Sequence, residues 1–498
     1  MISLSDLAGD WRIAMNYKML GKLISQILFV EAILMLPSVL LGIIDKDRKT
    51  TMGFLVSIGI LILTAGILYA VCRNAGKRFY AKDGLVTVAL SWIVMSIIGC
   101  LPFCISGAIP NYIDALFEIV SGFTTTGASI MPAVEDASRG VIYWRSFSHW
   151  IGGMGVLVLL LAVSSIGDKS KGFTMHLLRA ESPGPDVGKL VPRMKKTANI
   201  LYMMYLVLTL LDIIFLLAGG MPLFDSLCTA FGTAGTGGFG IKNDSMAGYS
   251  PYIQNVCTIF MFLFGVNFSC YYLIILKRIK AVFLDEELRF YIIAAVGSTV
   301  LIVWDLRGFY GSLGETIRHA AFQVSSIMTT TGFATTDFDL WPSFSKSILL
   351  CLMVIGACAG STGGGMKCGR ILLLLKGLRR NIRQILHPEK VQVVRNNGKT
   401  VDEKILANTN AYLAAYVVIL IISFCVISLD GFGITTNLSA VLACFNNIGP
   451  GLEAVGPTCN FSSYSVLSKL VLIGDMLAGR LEIFPMLILL SRSTWSRR

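Results

Sequence analysis

Residues 123–129 read Phe123-Thr124-Thr125-Thr126-Gly127-Ala128-Ser129, a run of small and hydroxylated residues around one glycine. This cluster follows an amphipathic stretch, 115–122, that is too short to cross a bilayer. The same order of amphipathic stretch and glycine cluster recurs three times. The later clusters are Gly235-Thr236-Gly237-Gly238-Phe239-Gly240, Thr329-Thr330-Thr331-Gly332-Phe333-Ala334-Thr335 and Asn446-Asn447-Ile448-Gly449-Pro450-Gly451. Four occurrences of one order indicate a repeat architecture.

The composition indicates that a bilayer surrounds these repeats. The chain has 498 residues, of which 54% are hydrophobic and 14% charged, and its mean hydropathy is +0.70. Soluble domains are about 25% charged, so a chain this apolar does not hide its hydrophobic surface in a soluble core. Segments long enough to span a bilayer occur along the whole sequence. The predicted spans are 20–44, 52–72, 85–106, 144–166, 198–219, 252–276, 288–306, 344–375, 405–429 and 464–490.

The loops between these spans alternate in character. One set is basic, and the other is rich in Gly, Thr and Phe. Because Lys and Arg accumulate in cytoplasmic loops, we expect the basic loops and both termini to be cytoplasmic. The net charge of +12 is explained by this asymmetry, so no nucleic-acid partner is predicted. The short loop with Lys46, Arg48 and Lys49 is the exception, because the same topology places it outside.

The predicted fold class is an all-α integral membrane protein with ten transmembrane helices. Each repeat consists of a span (M1), a pore half-helix, a glycine-centred loop and a second span (M2), and the four repeats surround a central pore. Two extra helices precede them. The expected divisions are 1–80 for the two extra helices, then 81–180, 181–285, 286–400 and 401–498 for the four repeats.

The glycine clusters have the composition that a cation path needs. Removing water from K⁺ has to be offset by oxygen ligands, and inward-pointing backbone carbonyls provide them. Glycine adopts backbone angles that other residues avoid, and it therefore lets successive carbonyls point the same way. The C-terminal ends of the half-helices carry partial negative charge and favour a cation. The alternative is that each cluster is an ordinary turn between two spans.

Four motifs resemble those of the Trk/Ktr/HKT superfamily of K⁺ and Na⁺ transporters, in particular its TrkH-like bacterial branch. They are Ala115 to Ser129, Ser148-His149-Trp150-Ile151-Gly152-Gly153-Met154-Gly155, the glycine-rich stretch 360–369 and Asn446 to Leu452. The resemblance covers about residues 85–490. The two extra N-terminal spans fit the TrkH branch better than the shorter KtrB branch.

The resemblance implies that the four loops form a K⁺ selectivity filter. The implied ligands are Thr125, Thr126, Gly127, Thr236, Gly237, Gly238, Thr330, Thr331, Gly332, Asn447, Ile448 and Gly449. The second loop has Gly where relatives have Thr, so its register stays open by one residue. Gly127, rather than Ser, implies K⁺ selectivity. The family also implies a homodimer in the bacterial cytoplasmic membrane and a cytoplasmic, nucleotide-binding TrkA-like regulatory subunit. K⁺ is then the transported ion, and no organic cofactor is expected on this chain.

The eighth predicted span is interrupted by small residues between Gly356 and Gly365. Glycine runs break helices, and a broken helix in a bilayer needs a buried or wet setting. We interpret this segment as an intramembrane gating loop, as in relatives. The gating residues are Gly356, Gly360, Gly363, Gly364, Gly365 and Arg480. Close helix packing by small residues is the alternative for the loop.

Several charged residues have two interpretations. Arg480, within the last span, either projects into the pore as an electrostatic barrier or pairs with Asp475 or Glu482. Glu118 and Asp225 either strengthen a negative potential at the pore mouth or hold the loop backbone. The basic face that follows the broken span either lies near anionic lipid or docks a regulatory subunit.

The chain offers little for other functions. Its 12 cysteines are scattered and its four histidines form no cluster with them, so neither a metal centre nor a catalytic site is predicted, and the chain is not expected to be an enzyme. Na⁺ or Na⁺/K⁺ flux is the alternative within the superfamily. A transporter of organic solutes fits four repeats poorly. The sequence leaves open whether flux is channel-like or coupled to H⁺ or Na⁺.

Overall fold

The computed structural model describes residues 15–76, 80–155 and 194–495, and these ranges are mostly α-helical with almost no strand. The strands within them form one hairpin of two antiparallel strands with two residues each, β1 Arg395–Asn396 and β2 Lys399–Thr400. The helices are α1 Tyr17–Leu34, α2 Leu36–Ile44, α3 Arg48–Cys72, α4 Ala81–Gly99, α5 Leu101–Ser106, α6 Tyr112–Phe123, α7 Arg139–Met154, α8 Met194–Ala218, α9 Leu223–Gly235, α10 Pro251–Phe264, α11 Phe268–Ile275, α12 Ile279–Phe283, α13 Glu286–Asp305, α14 Leu313–Met328, α15 Ser343–Ile355, α16 Cys368–Leu386, α17 Glu403–Ile427, α18 Ile434–Phe445, α19 Val466–Arg480, α20 Phe484–Leu490 and α21 Arg492–Trp495.

Six helical segments within the described ranges are long and apolar enough to cross a membrane. They correspond to six of the predicted spans, namely 20–44, 52–72, 85–106, 198–219, 288–306 and 405–429. Two of them consist of two helices, and in each the second helix has a proline as its second residue, Pro37 in α2 and Pro102 in α5. Proline lacks the amide hydrogen that a continuous helix needs, which explains both breaks.

Three other predicted spans are shorter or broken. Span 344–375 divides into α15 and α16, which are separated by the glycine-rich segment. Span 464–490 divides into α19 and α20. The span predicted over 144–166 starts earlier, at Arg139, and its second half lies outside the described residues. The ten-span arrangement therefore stays a prediction.

The span predicted over 252–276 consists of two helices, α10 and α11, which meet at an angle of 89°. The break falls at Gly265, Val266 and Asn267. The Asn267 side chain accepts a hydrogen bond from the Ser269 N–H at 2.8 Å and thereby caps α11. Capping by Asn starts a new helix instead of continuing the previous one, and the apolar pattern around it conceals the bend.

The loop between α2 and α3, with Lys46, lies beside the start of α7. Asp45 forms an ion pair with Arg139, and the Thr50 and Ser138 hydroxyls are 2.7 Å apart. The hydrogen bond from Arg139 lowers the pKa of Asp45. This loop and the segment after the first glycine cluster therefore share one end of the helix bundle.

The four half-helices α6, α9, α14 and α18 occupy the centre. Their last turns are buried at every position, over 117–123, 228–235, 322–328 and 439–445. A surface helix would be buried along one stripe only. Each helix that follows a glycine cluster packs on the half-helix of the next unit: α7 on α9, α10 on α14, α15 on α18, and α19 on α6. These four helix contacts form a closed cycle through the four units.

Candidate functional site

The four glycine loops share one backbone conformation. In each loop a non-glycine residue with positive φ is followed two positions later by a glycine with positive φ. The first members are Thr125 (56°), Thr236 (54°), Thr330 (61°) and Asn447 (56°), and the glycines are Gly127 (81°), Gly238 (71°), Gly332 (86°) and Gly449 (101°). Left-handed backbone is rare for residues with a side chain, so its recurrence at matched positions is specific.

A shared hydrogen bond joins each loop to its half-helix. The residue after the left-handed position donates its N–H to the carbonyl five residues earlier, at 2.8 Å in every loop. The four pairs are Thr126 with Ser121, Gly237 with Gly232, Thr331 with Ser326 and Ile448 with Ala443. This bond terminates the half-helix and turns the loop away from the helix end.

The loops meet one another in cyclic order. A Cβ atom added to Gly127 would collide with the carbonyl oxygen of Gly237, and one added to Gly238 would collide with that of Thr331. In the same way, Gly332 faces the Ile448 carbonyl and Gly449 faces the carbonyls of Thr126 and Gly127. The contacts run from the first loop through the second, third and fourth and back to the first. Glycine is required here because backbones approach closely.

The predicted ligand residues are thus brought together. The positive-φ pattern aligns Thr236 with Thr125 and Gly238 with Gly127, which is the register predicted for the second loop. A side chain at Gly237 would overlap the imidazole ring of His149. This overlap explains why the second loop has Gly at that position.

His149 is a site residue that the sequence analysis missed. Its Nδ1 lies 2.8 Å from the Gly122 carbonyl, and its Nε2 accepts a hydrogen bond from the Phe239 N–H at 3.3 Å. Both bonds are satisfied by the neutral ring that carries its proton on Nδ1. His149 thereby joins the first half-helix to the second loop. The only sequence signal was its place in the motif 148–155.

Glu118 holds the backbone after the first loop. It is fully buried, pairs with Arg145 and accepts a hydrogen bond from the Ile130 N–H at 2.7 Å. Arg145 also donates to the Gly240 carbonyl at 2.8 Å, which extends the network to the second loop. Since the paired guanidinium neutralises the carboxylate, the geometry favours the holding role over a negative potential at the mouth.

Asp225 lies farther from the loops, in the first turn of α9. It accepts a hydrogen bond from the Tyr249 hydroxyl at 3.1 Å, and Tyr249 belongs to the segment that follows the second loop. This contact favours the role of holding the loop for Asp225 as well.

Asn447 gives the fourth loop its own support. Its side-chain amide donates to the Thr126 hydroxyl at 3.0 Å and to the Met476 carbonyl at 2.9 Å. The preceding Asn446 exchanges hydrogen bonds with the Tyr416 hydroxyl. The asparagines therefore fasten the fourth loop to the first loop and to two outer helices.

The glycine-rich segment 356–367 lies against the helix ends below two of the loops. The Gly364 N–H donates to the Thr330 hydroxyl at 2.6 Å, and the Gly365 N–H donates to the Asn446 carbonyl at 3.0 Å. A Cβ atom on Gly363 would lie 2.7 Å from the Thr329 carbonyl. Gly356, Gly360 and Gly365 have positive φ. This segment is an irregular loop, so simple packing of two continuous helices does not describe it.

The same segment is tied to the bend between α10 and α11. The Cys358 N–H donates to the Gly265 carbonyl, and the Phe268 N–H donates to the Gly360 carbonyl, both at 3.1 Å. Two broken helices therefore satisfy one another's free backbone groups, as backbone at membrane depth requires.

Arg480 lies at the end of α19 and is 8% exposed. Its guanidinium donates to the Thr362 carbonyl at 2.8 Å and to the Gly153 carbonyl at 2.7 Å. It thus bridges the glycine-rich segment and the end of α7. Asp475 accepts a hydrogen bond from Ser423, and Glu482 pairs with Arg370. Both carboxylates thus have bonds to residues other than Arg480.

On the opposite side of the loops, a cavity of about 150 Å³ opens above the four glycines. It is lined by Gly127, Gly238, Gly332 and Gly449 at its floor and by residues 456–461 at its wall. Within the described residues, no group of three or more His, Cys, Asp or Glu side chains is placed to hold a metal ion. The four loops therefore bring backbone carbonyls close together at the centre of the described structure.

A polytopic helical chain with irregular loops gathered at its centre is an arrangement typical of membrane transport proteins. The model of the TrkH family, described as "Cation transport protein", matches residues 51–496. The chain is 34% identical to the Trk system potassium uptake protein TrkH of Salmonella typhimurium over 493 residues, which is 97% of this chain and all of that protein. It is 32% identical to the Trk system potassium uptake protein TrkG of Escherichia coli, with 94% of this chain and 96% of that protein covered.

The crystal structure of the potassium transporter TrkH from Vibrio parahaemolyticus has the same fold, with a TM-score of 0.86 at 30% identity. The match covers 97% of this chain and 100% of the other. The chain therefore belongs to the TrkH family of cation transport proteins, within the Trk/Ktr/HKT superfamily. This is a transporter family and not an enzyme family, so the prediction that the chain is no enzyme is confirmed.

Proposed function

We propose that this protein takes up K⁺ across the cytoplasmic membrane of a bacterium and that the four glycine loops are its selectivity filter. The observation that carries the proposal is the closed cycle of contacts among Gly127, Gly238, Gly332 and Gly449. Relatives that are about a third identical over nearly the whole chain are named potassium uptake proteins.

The proposed ligands are the backbone carbonyls of three successive residues in each loop. They are residues 125–127, 236–238, 330–332 and 447–449, with hydroxyl oxygen available from the threonines. Carbonyl oxygens on one axis replace the hydration shell of K⁺. The half-helices end at these loops, so the negative ends of their dipoles favour a cation nearby.

Four repeats of span, half-helix, loop and span, preceded by two helices, are the proposed architecture. The cyclic packing of each following helix on the next half-helix supports it. The proposed topology places both termini in the cytoplasm. Contacts between the loop at Lys46 and the start of α7 support an outer position for that loop, despite its charge.

The glycine-rich segment is the proposed gate, and Arg480 is the proposed latch that holds it. The segment lies directly below the third and fourth loops, where it obstructs a path along their axis. Arg480 adds positive charge in that path and binds the segment to α7. A cation leaving the loops meets both obstacles in this conformation.

We propose that two copies of the chain form a homodimer and that a cytoplasmic, nucleotide-binding regulatory subunit of the TrkA type acts on the gate. The described part of the chain offers α16 for this contact. That helix begins where the glycine-rich segment ends, and its exposed end carries Arg379, Arg380 and Arg383. A subunit bound there would pull directly on the segment.

Flux of Rb⁺ into liposomes tests the proposed function. The purified chain in liposomes, with and without a TrkA-type subunit, should admit Rb⁺ in competition with K⁺, and a large excess of Na⁺ or Li⁺ should compete weakly. Equal competition by Na⁺ would favour the Na⁺/K⁺ alternative. Vesicles that admit no alkali cation under either condition would contradict the proposal.

A further inference from the structure

The chain passes from α19 to α20 through a strained turn, Glu482-Ile483-Phe484. Ile483, at its centre, has a φ of 61° and a ψ of −56°, and the Phe484 N–H donates to the Glu482 carbonyl at 2.6 Å. This is the geometry of a γ-turn with positive φ, which is rare and strained. Ile483 is also β-branched and fully buried, and a positive φ is a true outlier for a residue of that kind.

The helices on either side hold this turn in place. Backbone strain persists only where the surrounding structure fixes the chain. The Ile483 N–H donates to the Ala478 carbonyl at 2.7 Å, which anchors the turn to the end of α19. On the other side α20 begins at once, with Pro485 as its second residue, and packs on α4.

A third contact joins the turn to the glycine-rich segment. Glu482 forms an ion pair with Arg370, which lies in the first turn of α16 and has a side chain that is 4% exposed. The Arg370 guanidinium also lies 4.0 Å from the centre of the Tyr412 ring and donates to the Met366 carbonyl at 3.3 Å. Because Met366 belongs to the segment 356–367, the ion pair connects the turn to the end of that segment.

Residues 480–483 thus hold the glycine-rich segment at two points. Arg480 binds its middle at Thr362, and Glu482 binds its end through Arg370. The second contact differs from the first, because Glu482 itself has a φ of 64° and precedes the strained Ile483. The ion pair favours the conformation seen here, whereas strain in the backbone that presents it opposes this conformation.

We propose that Glu482 is a second residue that holds the proposed gate and that the strained turn makes this hold reversible. The ion pair between Glu482 and Arg370 retains the first turn of α16, and Ile483 returns to ordinary backbone angles when that pair separates. The strain thereby offsets part of the stabilisation that the ion pair contributes. The effect on flux rests on the proposed function, whereas the strain does not.

The strain is tested by thermal melting in detergent. Ile483→Gly and Ile483→Ala both remove the buried side chain, but only Gly adopts the angles of this turn without a steric cost. Ile483→Gly should therefore melt at a higher temperature than Ile483→Ala. The matched pair is at Ile473, a buried residue within α19, where Gly should melt at a lower temperature than Ala because Gly weakens a helix.

The hold is tested by Rb⁺ flux without the regulatory subunit. Glu482→Gln should raise flux by about fivefold or more, since it weakens a charged hydrogen bond, and Arg370→Lys repeats the test if that variant fails to elute as a folded protein. Glu403→Gln, which breaks the ion pair with Arg380 of α16, is the control and should leave flux unchanged. Ile483→Gly should admit less Rb⁺ than Ile483→Ala, because an unstrained turn favours the held conformation.

Cys368 reports the release of α16 without any measurement of flux. It is the first residue of that helix, a free thiol and 0% exposed. In a chain whose exposed cysteines are replaced by Ser, Glu482→Gln should speed the reaction of Cys368 with a maleimide by the same factor as flux. Glu403→Gln should leave that rate unchanged.

The results separate the parts of the proposal. If Ile483→Gly melts below Ile483→Ala, the turn is not strained. Unchanged Cys368 labelling in Glu482→Gln would overturn the hold, and equal Rb⁺ flux in the folded Gly and Ala variants of Ile483 would overturn the relaxation of the turn. The expected melting and labelling in a protein that admits no Rb⁺ under any condition would support the strained turn and contradict the proposed function.

Discussion

Gly332 shows how a single residue type fixes the geometry of the central loops. Its φ of +86° is left-handed, and a Cβ atom would overlap the carbonyl of Ile448 in the next loop. Left-handed backbone costs other residues roughly 1–2 kcal/mol, and the overlap adds to this strain. The neighbouring loop has to move, which displaces the carbonyls of both loops from the arrangement that the proposed filter requires.

Gly332→Ala is therefore expected to abolish Rb⁺ flux into liposomes or reduce it at least about tenfold, the factor that 1.36 kcal/mol gives. The matched control is Gly297→Ala in the exposed part of α13, where nothing lies within 4 Å of the added methyl group. The control should keep its flux. Normal Rb⁺ flux and selectivity in Gly332→Ala would show that this loop does not line the ion path.

His149 provides the second test at this scale. Its ring joins the Gly122 carbonyl to the Phe239 N–H, and both of these groups lie in the buried centre. Leaving a buried polar group without its partner costs about 1–3 kcal/mol. His149→Phe keeps the ring shape but removes both bonds.

We expect His149→Phe to lower the melting temperature of the detergent-solubilised protein and to weaken its stabilisation by K⁺. His387→Phe, at an exposed position after α16, is the control and should melt like the unaltered protein. A His149→Phe protein with unchanged melting and unchanged K⁺ protection would refute the linking role.

Residue patterns predicted some of these positions and missed others for a physical reason. The glycine loops were predictable because their conformation depends on local sequence, with Thr or Asn at the left-handed position and Gly two residues later. His149 was missed because its partners are 27 and 90 positions away in the chain. The Gly at position 237 looked like a departure until the imidazole beside it was known.

At the scale of elements, two broken helices, α10–α11 and α15–α16, supply the irregular segments that bind each other beside the central loops. Hydropathy predicted the interruption at 356–365, because ten mostly small residues are visible in the sequence. It missed the 89° bend between α10 and α11, since Val266 and its apolar neighbours continue the hydrophobic pattern while Asn267 caps a new helix. A single polar residue is too weak a signal in an apolar window.

Arg480→Ala is the prediction for these elements. Without the guanidinium, the Thr362 and Gly153 carbonyls lose a donor and the glycine-rich segment loses its tie to α7. Rb⁺ flux without the regulatory subunit should rise, by about tenfold or more if the tie contributes the ~1.5–3 kcal/mol of a charged hydrogen bond.

Two controls frame that measurement. Arg383→Ala removes an exposed charge of α16 and should leave flux without the subunit unchanged. Arg480→Lys keeps the charge but reaches fewer carbonyls. Its Rb⁺ flux should lie between that of the unaltered protein and that of Arg480→Ala. Lower or equal flux in a well-folded Arg480→Ala protein would count against the latch.

The whole molecule is organised by the cycle in which each following helix packs on the next half-helix. Such a cycle fixes which loops share an end of the bundle, and it groups the loop at Lys46 with the start of α7. The positive-inside pattern alone left that loop in doubt.

Topology is testable by chemical labelling in intact cells. In a chain whose exposed cysteines are replaced by Ser, Lys46→Cys should react with a membrane-impermeant maleimide added outside. Arg383→Cys should react only after the membrane is opened. Labelling of Arg383→Cys alone from outside would reverse the proposed orientation, and labelling of both from outside would contradict the proposed topology.

The hydrogen bonds between the glycine-rich segment and the bend at Gly265 have a mechanical consequence. If the segment withdrew by itself, the buried Gly265 carbonyl and Phe268 N–H would lose their hydrogen-bond partners, each at a cost of about 1–3 kcal/mol. Opening of the proposed gate is therefore expected to be a concerted event, in which α10–α11 and α15–α16 rearrange as one hinge pair. A clamp on either helix pair would immobilise the other.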